Sequence, residues 1–278
     1  MTNFQYMLAP VEDFTGPAFR ALSYKYGADL TFTEMIRVGG LARNNKSTWS
    51  RLSVDDETPT VIQLLVAKDD VLRKFLKDFS PENKGFMGFN LNIGCPSPQI
   101  INTGQGCALI KRIKKVKTLL GLIKDHGYPA SVKMRLGMNK FEKERKVYLN
   151  LINEVDAEFF AVHARHGGET YANRADWRAY DECVKTGKTI IANGDIKTKE
   201  DVKTLKGMGV KGVMIGRDAI TNPLIFKELK GETTPDINKV KEEFLELAKK
   251  FETPQKFVDN VLKHLGKDRN SEKSMIER

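Results

Sequence analysis

The sequence predicts an α/β fold, a (β/α)8 TIM barrel with a small C-terminal helical appendage. Three observations carry that expectation. Short apolar, β-branched-rich runs recur eight times and alternate with stretches of helical character, as parallel strands joined by helical crossovers do. Their spacing over about 230 residues leaves room in each unit for one strand, one helix and two loops. Nearly every run also finishes in a polar or special residue, the property of strand ends that open on a barrel mouth. An open doubly wound sheet would bring a G-x-G-x-x-G turn after its first strand, and none is present.

In order, the runs are Tyr6–Pro10, Leu30–Glu34, Thr60–Leu64, Gly88–Asn92, Ser131–Arg135, Phe159–His163, Thr189–Asn193 and Gly212–Gly216. Their ends supply Pro10, Glu34, Gln63, Asn92, Lys133 with Arg135, His163, Asn193 and Gly216. After the eighth run, Asn222-Pro223 opens a short helix to Leu229, and Lys230–Asp236 reads as a linker. Two amphipathic helices follow. One carries Val240, Phe244, Ala248 and Phe251, the other Val258, Val261 and Leu265, with Thr253-Pro254 as N-cap and first helical position of the second. Residues from Gly266 onward hold few apolar side chains and are expected to fray. The domain division is therefore a barrel over 1–232 and a short helical domain over 236–278.

Composition narrows the class. With 278 residues, 40% hydrophobic and 29% charged, the chain supports a large core and is far from disordered or collagen-like sequence. No apolar run approaches the roughly 20 residues of a membrane span, and the N-terminal segment lacks the pattern of a secretory signal. A cytoplasmic protein with no membrane association is expected, and nothing calls for an obligatory protein partner. Three cysteines without C-x-x-C spacing form no disulfide framework, and no cluster has metal-ligand spacing, so no metal is expected. The formal charge of +10 bears mainly on solubility and non-specific association.

Chemistry concentrates at the strand ends. Cys95 lies just past the fourth strand on a Gly94-Cys95-Pro96 turn, where a partly exposed thiol can serve as acid, nucleophile or redox group. Cys107 and Cys183 fall within helical patterns and read as small core residues. Asn193-Gly194-Asp195 and Gly216-Arg217 end strands seven and eight, places where barrels bind phosphate through close backbone approach and helix N-termini. A phosphorylated ligand fits there. Lys133 and His163 sit on intervening strands, where a cation would face an anionic cofactor ring.

These segments together resemble the tRNA-dihydrouridine synthases. The likeness runs through Ala9–Thr15 with Phe19-Arg20, Thr33–Met35, Ile62–Leu64, Leu91–Pro96, Val132–Arg135, Val162–Arg165, Ala192–Asp195 and Gly212–Arg217, in that family's order, over residues 6–229. The resemblance implies an FMN-dependent barrel that reduces the C5–C6 double bond of uridines in tRNA, with NADPH or NADH as reductant. By position, Pro10, Val11 and Glu12 would lie beside the flavin ring, Gln63 and Lys133 would contact it, and His163 would help to hold it. Asn193, Gly194, Asp195, Gly216 and Arg217 would cradle the ribityl chain and phosphate. Cys95 would be the general acid, giving a proton to C5 after hydride reaches C6. Asn92, Arg135 and Glu34 are the candidates for the substrate side.

Two other activities remain compatible with the sequence: a tRNA-binding relative that does not turn over, and a flavin barrel that reduces a free pyrimidine or other small enone. Two runs rich in Lys and Arg without an intervening acid, Lys111–Lys117 and Arg37–Arg51, are either solvated faces or contacts to RNA phosphates. Residues 236–278 carry a net charge of only +1, so the helical appendage is not a basic arm.

Overall fold

The computed structural model describes residues 3–267 apart from 53, 55, 82 and 83. The remaining residues, including most of the segment expected to fray, lie outside the described part. Among the described residues, nine parallel strands form one sheet: β1 (Gln5–Leu8), β2 (Thr31–Phe32), β3 (Ile36–Arg37), β4 (Thr60–Leu65), β5 (Phe86–Ile93), β6 (Ala130–Arg135), β7 (Phe160–His163), β8 (Ile190–Asn193) and β9 (Gly212–Ile215). The order β1-β9-β8-β7-β6-β5-β4-β2 is closed by a parallel bridge between Met7 and Leu30. Closure of a parallel sheet through helical crossovers is the barrel that the spacing predicts.

The second barrel strand departs from the expected single run. It is split into β2 and β3, both parallel to β4. At the break, Thr33 N donates to Val61 O at 3.0 Å while Gln63 N donates to the Thr33 hydroxyl at 3.0 Å. A side-chain oxygen thus takes the acceptor place of a ladder carbonyl, and the strand bends around Glu34.

Around the sheet lie α1 (Pro17–Lys25), α4 (Asp69–Asp78), α6 (Ile113–Asp125), α8 (Val147–Glu154), α9 (Ala179–Lys185), α10 (Lys199–Gly207) and α12 (Ile225–Lys230). Shorter helices α2 (Val38–Leu41), α3 (Lys46–Ser50), α5 (Pro98–Ile101), α7 (Lys140–Glu144) and α11 (Arg217–Thr221) sit in the loops that leave the strands. Asn222-Pro223 falls between α11 and α12 and leads into α12, which begins at Ile225; the Asn222 side chain accepts from Leu224 N at 3.2 Å, as a capping residue does. The last two helices are α13 (Ile237–Lys250) and α14 (Gln255–His264). Pro254, not Thr253, is the N-cap of α14, one residue later than the sequence pattern suggests.

Alternation along each strand creates two apolar layers. Ile62, Leu64, Leu91, Val132, Met134 and Val162 point outward into the shell beneath the helices. Met7, Ala9, Phe32, Val61, Ala161, Ile191 and Met214 point inward and fill the lower barrel. Val240, Phe244 and Ala248 of α13 join the outer shell, with the Phe244 ring edge-on to Phe19 at 6.5 Å. The same period-2 step that places Val61, Ala161 and Ile191 inside also carries Gln63, His163 and Asn193 inside, one level nearer the mouth.

Candidate active site

Strand register decides which of the polar ends meet. Gln63 pairs with Asn90 and Asn90 with Ser131. Above them Asn92 pairs with Lys133, and at the top Arg135 pairs with His163 and His163 with Asn193. Three polar tiers therefore face the barrel axis on the apolar plug.

The lowest tier is a closed hydrogen-bond ladder. Gln63 Nε2 donates to Asn90 Oδ1 at 2.8 Å, Asn90 Nδ2 donates to Ser131 Oγ at 2.9 Å, and Ser131 Oγ donates to Phe89 O at 3.3 Å. All three side chains are buried. Removing one member of such a ladder leaves a buried polar atom unpaired at a cost of about 1–3 kcal/mol.

Asn92 links this ladder to Cys95. Its Nδ2 donates to Gln63 Oε1 at 2.9 Å and approaches Met35 Sδ at 3.3 Å, while its Oδ1 accepts from Gly94 N at 3.1 Å and Cys95 N at 2.9 Å. The amide is used on both sides, so Asn92 shapes the turn that carries the thiol. Cys95 O in turn accepts from Cys107 N at 3.0 Å. Cys95 is half-buried at the mouth, whereas Cys107 and Cys183 are buried, and burial pushes each of those two thiols up to about 12.

Lys133 points into the mouth with no hydrogen bond or ion pair on its ammonium among the described residues. Burial lowers its pKa to about 8, the neighbouring Arg135 charge adding to the effect and Cys95 opposing it. The upper tier is strongly cationic and tightly fixed. Arg135 is buried and spans to the next loop, donating to His166 O at 2.8 Å and Glu169 O at 3.2 Å. Burial also holds His163 well below its ordinary pKa, and the charges of Lys133, Arg135, Arg165 and Arg217 add to that.

Behind His163 lies a group that the sequence motifs did not single out. Arg165 is fully buried; its Nε donates to Asn173 O at 2.8 Å, its Nη1 meets His163 Nε2 at 3.0 Å and its Nη2 pairs with Asp195 Oδ2 at 2.6 Å. Ala175 N also donates to Asp195 Oδ2, at 2.8 Å. Burial raises the Asp195 pKa, but the Arg165 and Ala175 hydrogen bonds and the Arg165 and Arg217 charges outweigh it, so the net shift is downward. Tyr171 stacks on His163 at 6.2 Å between centroids and receives the Arg217 guanidinium at 3.5 Å from its own. Arg217 Nη2 lies 3.6 Å from Asp195 Oδ1.

Of the two glycines here, Gly194 is required by sterics, whereas Gly216 leaves space at ordinary contact distance. Gly194 has φ +116°, and a Cβ there would come within 2.9 Å of the His163 ring. A Cβ on Gly216 would meet Ala9 Cβ at 3.4 Å and fill the gap between β9 and β1. Asn193 is buried and donates to Met214 O at 2.7 Å, tying β8 to β9. The Pro10–Glu12 segment leads into a turn closed by Val11 O, which accepts from Phe14 N and Thr15 N at 3.2 and 3.1 Å. Asn260 of α14 donates to Asp13 O at 3.0 Å and braces that turn, while Glu12 itself is exposed. Glu34 is buried near it. Burial raises its pKa to about 7, Arg51 at 3.8 Å opposing and Asp13 and Glu12 reinforcing the rise.

The mouth thus gathers Gln63, Asn92, Cys95, Lys133, Arg135 and His163 on β4 to β7 and their loops, with Asp195 and Arg217 beside them. Three of the five cations in the basic run at Lys111 are paired across space, Lys111 with Glu142 at 2.7 Å, Lys115 with Asp69 at 3.0 Å and Lys117 with Glu154 at 2.7 Å, while Arg112 and Lys114 have no acid partner among the described residues. No helix among the described residues is long and apolar enough to cross a membrane.

Comparison with known proteins bears on family and fold. The family model described as Dihydrouridine synthase (Dus) matches residues 7–276, which extends past the barrel through the last helices. A probable tRNA-dihydrouridine synthase of Aquifex aeolicus is 30% identical over 230 residues, covering 81% of this chain and 72% of that protein. A human tRNA-dihydrouridine(47) synthase [NAD(P)(+)]-like protein is 28% identical over 266 residues, covering 94% of this chain and 39% of that protein. Among solved structures, morphinone reductase in complex with tetrahydroNAD superposes with a TM-score of 0.56 at 11% identity, covering 86% of this chain and 90% of that one, a shared fold.

Proposed function

The chain belongs to the dihydrouridine synthase family, and we infer that its barrel mouth reduces uridine to dihydrouridine in tRNA with a flavin and NAD(P)H. FMN is the flavin we assign, and the cytoplasm, where tRNA and reduced nicotinamide meet, is the place of action. The residues present suit that group. Lys133 offers an unpaired ammonium inside the barrel, Gly216 leaves a gap that a side chain would fill, and Arg217 supplies a guanidinium for a phosphate.

When bound, FMN supplies the hydride that uracil C6 receives. The chain's own part is to hold the cofactor and to complete the reduction. Cys95 gives its proton to C5, the thiolate being reprotonated from solvent. Lys133 keeps positive charge against the electron-rich ring. His163 is held as a neutral imidazole and Gln63 sits in a fixed ladder, so both present set hydrogen-bonding groups without reorganisation. Asn193, Gly194, Asp195, Gly216 and Arg217 line the ribityl and phosphate side, and Pro10, Val11 and Glu12 border the ring. Arg135 and Asn92 act by position, one fixing the loop at His166–Glu169 and the other the Cys95 turn. Glu34 stands on the substrate side.

The observation that carries this reading is the unpaired Lys133 ammonium one strand from the Cys95 turn, both facing a mouth rich in fixed cations. Purified protein should take up FMN, lose its flavin absorbance on addition of NADPH, and form dihydrouridine in unmodified tRNA. Protein that binds tRNA and flavin but forms none would be a silent relative. Protein that takes up no flavin would end the enzymatic reading.

A further inference from the structure

The short helix α7 reverses the usual placement of its side chains. Of its two carboxylates Glu144 is exposed but Glu142 is only 4% exposed, while its phenyl ring, Phe141, is 64% exposed, more than any other large apolar side chain among the described residues. Glu142 turns inward for clear reasons: its Oε2 accepts from Met138 N at 2.8 Å and its Oε1 pairs with Lys111 at 2.7 Å. No packing explains Phe141. Among the described residues it belongs to no apolar cluster, and the Arg145 guanidinium lies 5.4 Å from its ring centroid.

One exposed apolar side chain is ordinary in itself. The location of this one is not. α7 lies in the loop that leaves β6 just after Arg135, on the same face as Cys95. That loop is held to its neighbours by Cys107 Sγ to Gly137 O at 3.3 Å, Gly167 N to Gly137 O at 2.8 Å and Lys143 to Asp176 at 3.1 Å. The ring therefore stands on a fixed rim beside the mouth.

The charges around it are also selective. Lys111, Lys115, Lys117, Lys143 and Lys146 each pair with an acid. Arg112 and Lys114, next to the Lys111–Glu142 bridge, are exposed and have no acid partner among the described residues. Glu144, the other acid of α7, is exposed and lies 3.8 Å from Lys140. An exposed aromatic face with a guanidinium at its ring and two unpaired cations across the Lys111–Glu142 bridge matches an unstacked nucleotide. A protein partner would need a broad apolar patch, whereas the other exposed large apolar side chains, Tyr24, Met87 and Leu245, belong to α1, β5 and α13.

We propose that Phe141, with Arg145 at its ring and with Arg112 and Lys114 reached across the Lys111–Glu142 bridge, is a stacking platform for an unpaired base of the tRNA substrate, whose adjoining phosphates rest on the two unpaired cations. This rests on the tRNA reading above. The platform would fix the RNA on the β6 side of the mouth while the target uridine reaches Cys95.

The test is binding of unmodified tRNA transcript to the full-length wild type, F141A, F141L, F141W and R112A/K114A over a salt series. Wild type should bind, F141A should bind roughly 5- to 100-fold more weakly, F141L should not recover the loss, and F141W should. R112A/K114A should flatten the log-affinity against log-salt slope by roughly 1.4 to 1.8. Bound flavin and thermal midpoint should match wild type in F141A, since the ring is mostly exposed and lies outside the apolar core. Equal affinity of F141A and wild type, or full recovery in F141L, would overturn the platform and leave tRNA reduction standing. Failure of wild type to bind tRNA would instead remove the functional reading, and the platform with it.

Discussion

Arg165 Nη1 meets His163 Nε2 at 3.0 Å, two residues apart at the end of β7. A guanidinium can only donate, so this contact makes His163 Nε2 an acceptor and places the imidazole proton on Nδ1. Burial and the surrounding cations keep the ring from taking a second proton. Arg165 in turn spends its remaining donors on Asn173 O and Asp195. One buried arginine thus sets the tautomer of a mouth residue and anchors the loop after β8.

His163 should stay neutral as the solution is acidified past its ordinary pKa of about 6.5. In the 15N spectrum of the imidazole, Nδ1 should remain protonated and Nε2 bare from about pH 8 down to about pH 6. The linked stability has a definite sign: the unfolded chain binds the proton more readily, so the contribution of His163 is whole above the ordinary pKa and is lost as pH falls below it. A ring that titrates near 6.5 would contradict the arrangement.

Arg165→Lys should destabilise the fold by about 2–4 kcal/mol, because a single ammonium cannot reach Asn173 O, Asp195 and His163 together and leaves buried acceptors unpaired. Denaturant unfolding measures this directly. The same variant should free His163 to titrate at higher pH than in wild type.

Cys95→Ala should retain flavin and its reduction by NADPH while dihydrouridine formation falls by roughly 10²- to 10⁴-fold, the usual worth of a positioned general acid. Rapid mixing separates the two half-reactions. Cys107→Ala, at a buried thiol packed against Gly137 O, should change stability by about 1 kcal/mol and leave the rates alone. Equal product formation by Cys95→Ala and wild type would take the thiol out of the mechanism.

The polar strand ends were legible because period 2 is a local property. Once Val61 and Ala161 are inside, Gln63 and His163 must be too, and no distant contact is needed to say so. The same step continued past His163 points to Arg165, a signal present in the sequence but hidden by the end of the apolar run. Tyr171 carried no such signal, since its place over His163 depends on how the whole loop from His166 to Asp176 is held by Arg135 and Lys143. The pairing within the basic run at Lys111 was not legible for the converse reason: its acids, Asp69, Glu142 and Glu154, come from other elements and only the fold brings them near. The split at Thr33 was unreadable because a side-chain hydroxyl replaces a backbone acceptor there.

Glu34 offers a pH test of the mouth. Its pKa is raised to about 7, so between the unfolded value and 7 the folded chain holds a proton that the unfolded chain releases. Stability from this group is therefore full at low pH and is lost as pH rises toward 7 and above. Glu34→Gln should remove that dependence and stabilise the protein at pH 8 by on the order of 2 kcal/mol, read from urea unfolding at several pH values. A variant with the same pH profile as wild type would show that the carboxyl ionises as freely as an exposed one.

Lys133 supplies the corresponding test of cofactor binding. Its pKa is lowered to about 8 by burial, with Arg135 adding to the effect, so the apo mouth loses this positive charge just above neutrality. FMN is anionic, and its affinity should decline as pH rises through about 8, where the ammonium gives up its proton. A bound anion opposes that loss, so the midpoint should move upward in the complex by linkage. Lys133→Met keeps most of the stem volume without the charge; it should bind FMN more weakly at pH 7 and show no decline through pH 8. Fluorescence titration of FMN across the range measures both. A Lys133→Met affinity that still fell through pH 8 would assign the titration to another group, and the ammonium would then have no part in holding the cofactor.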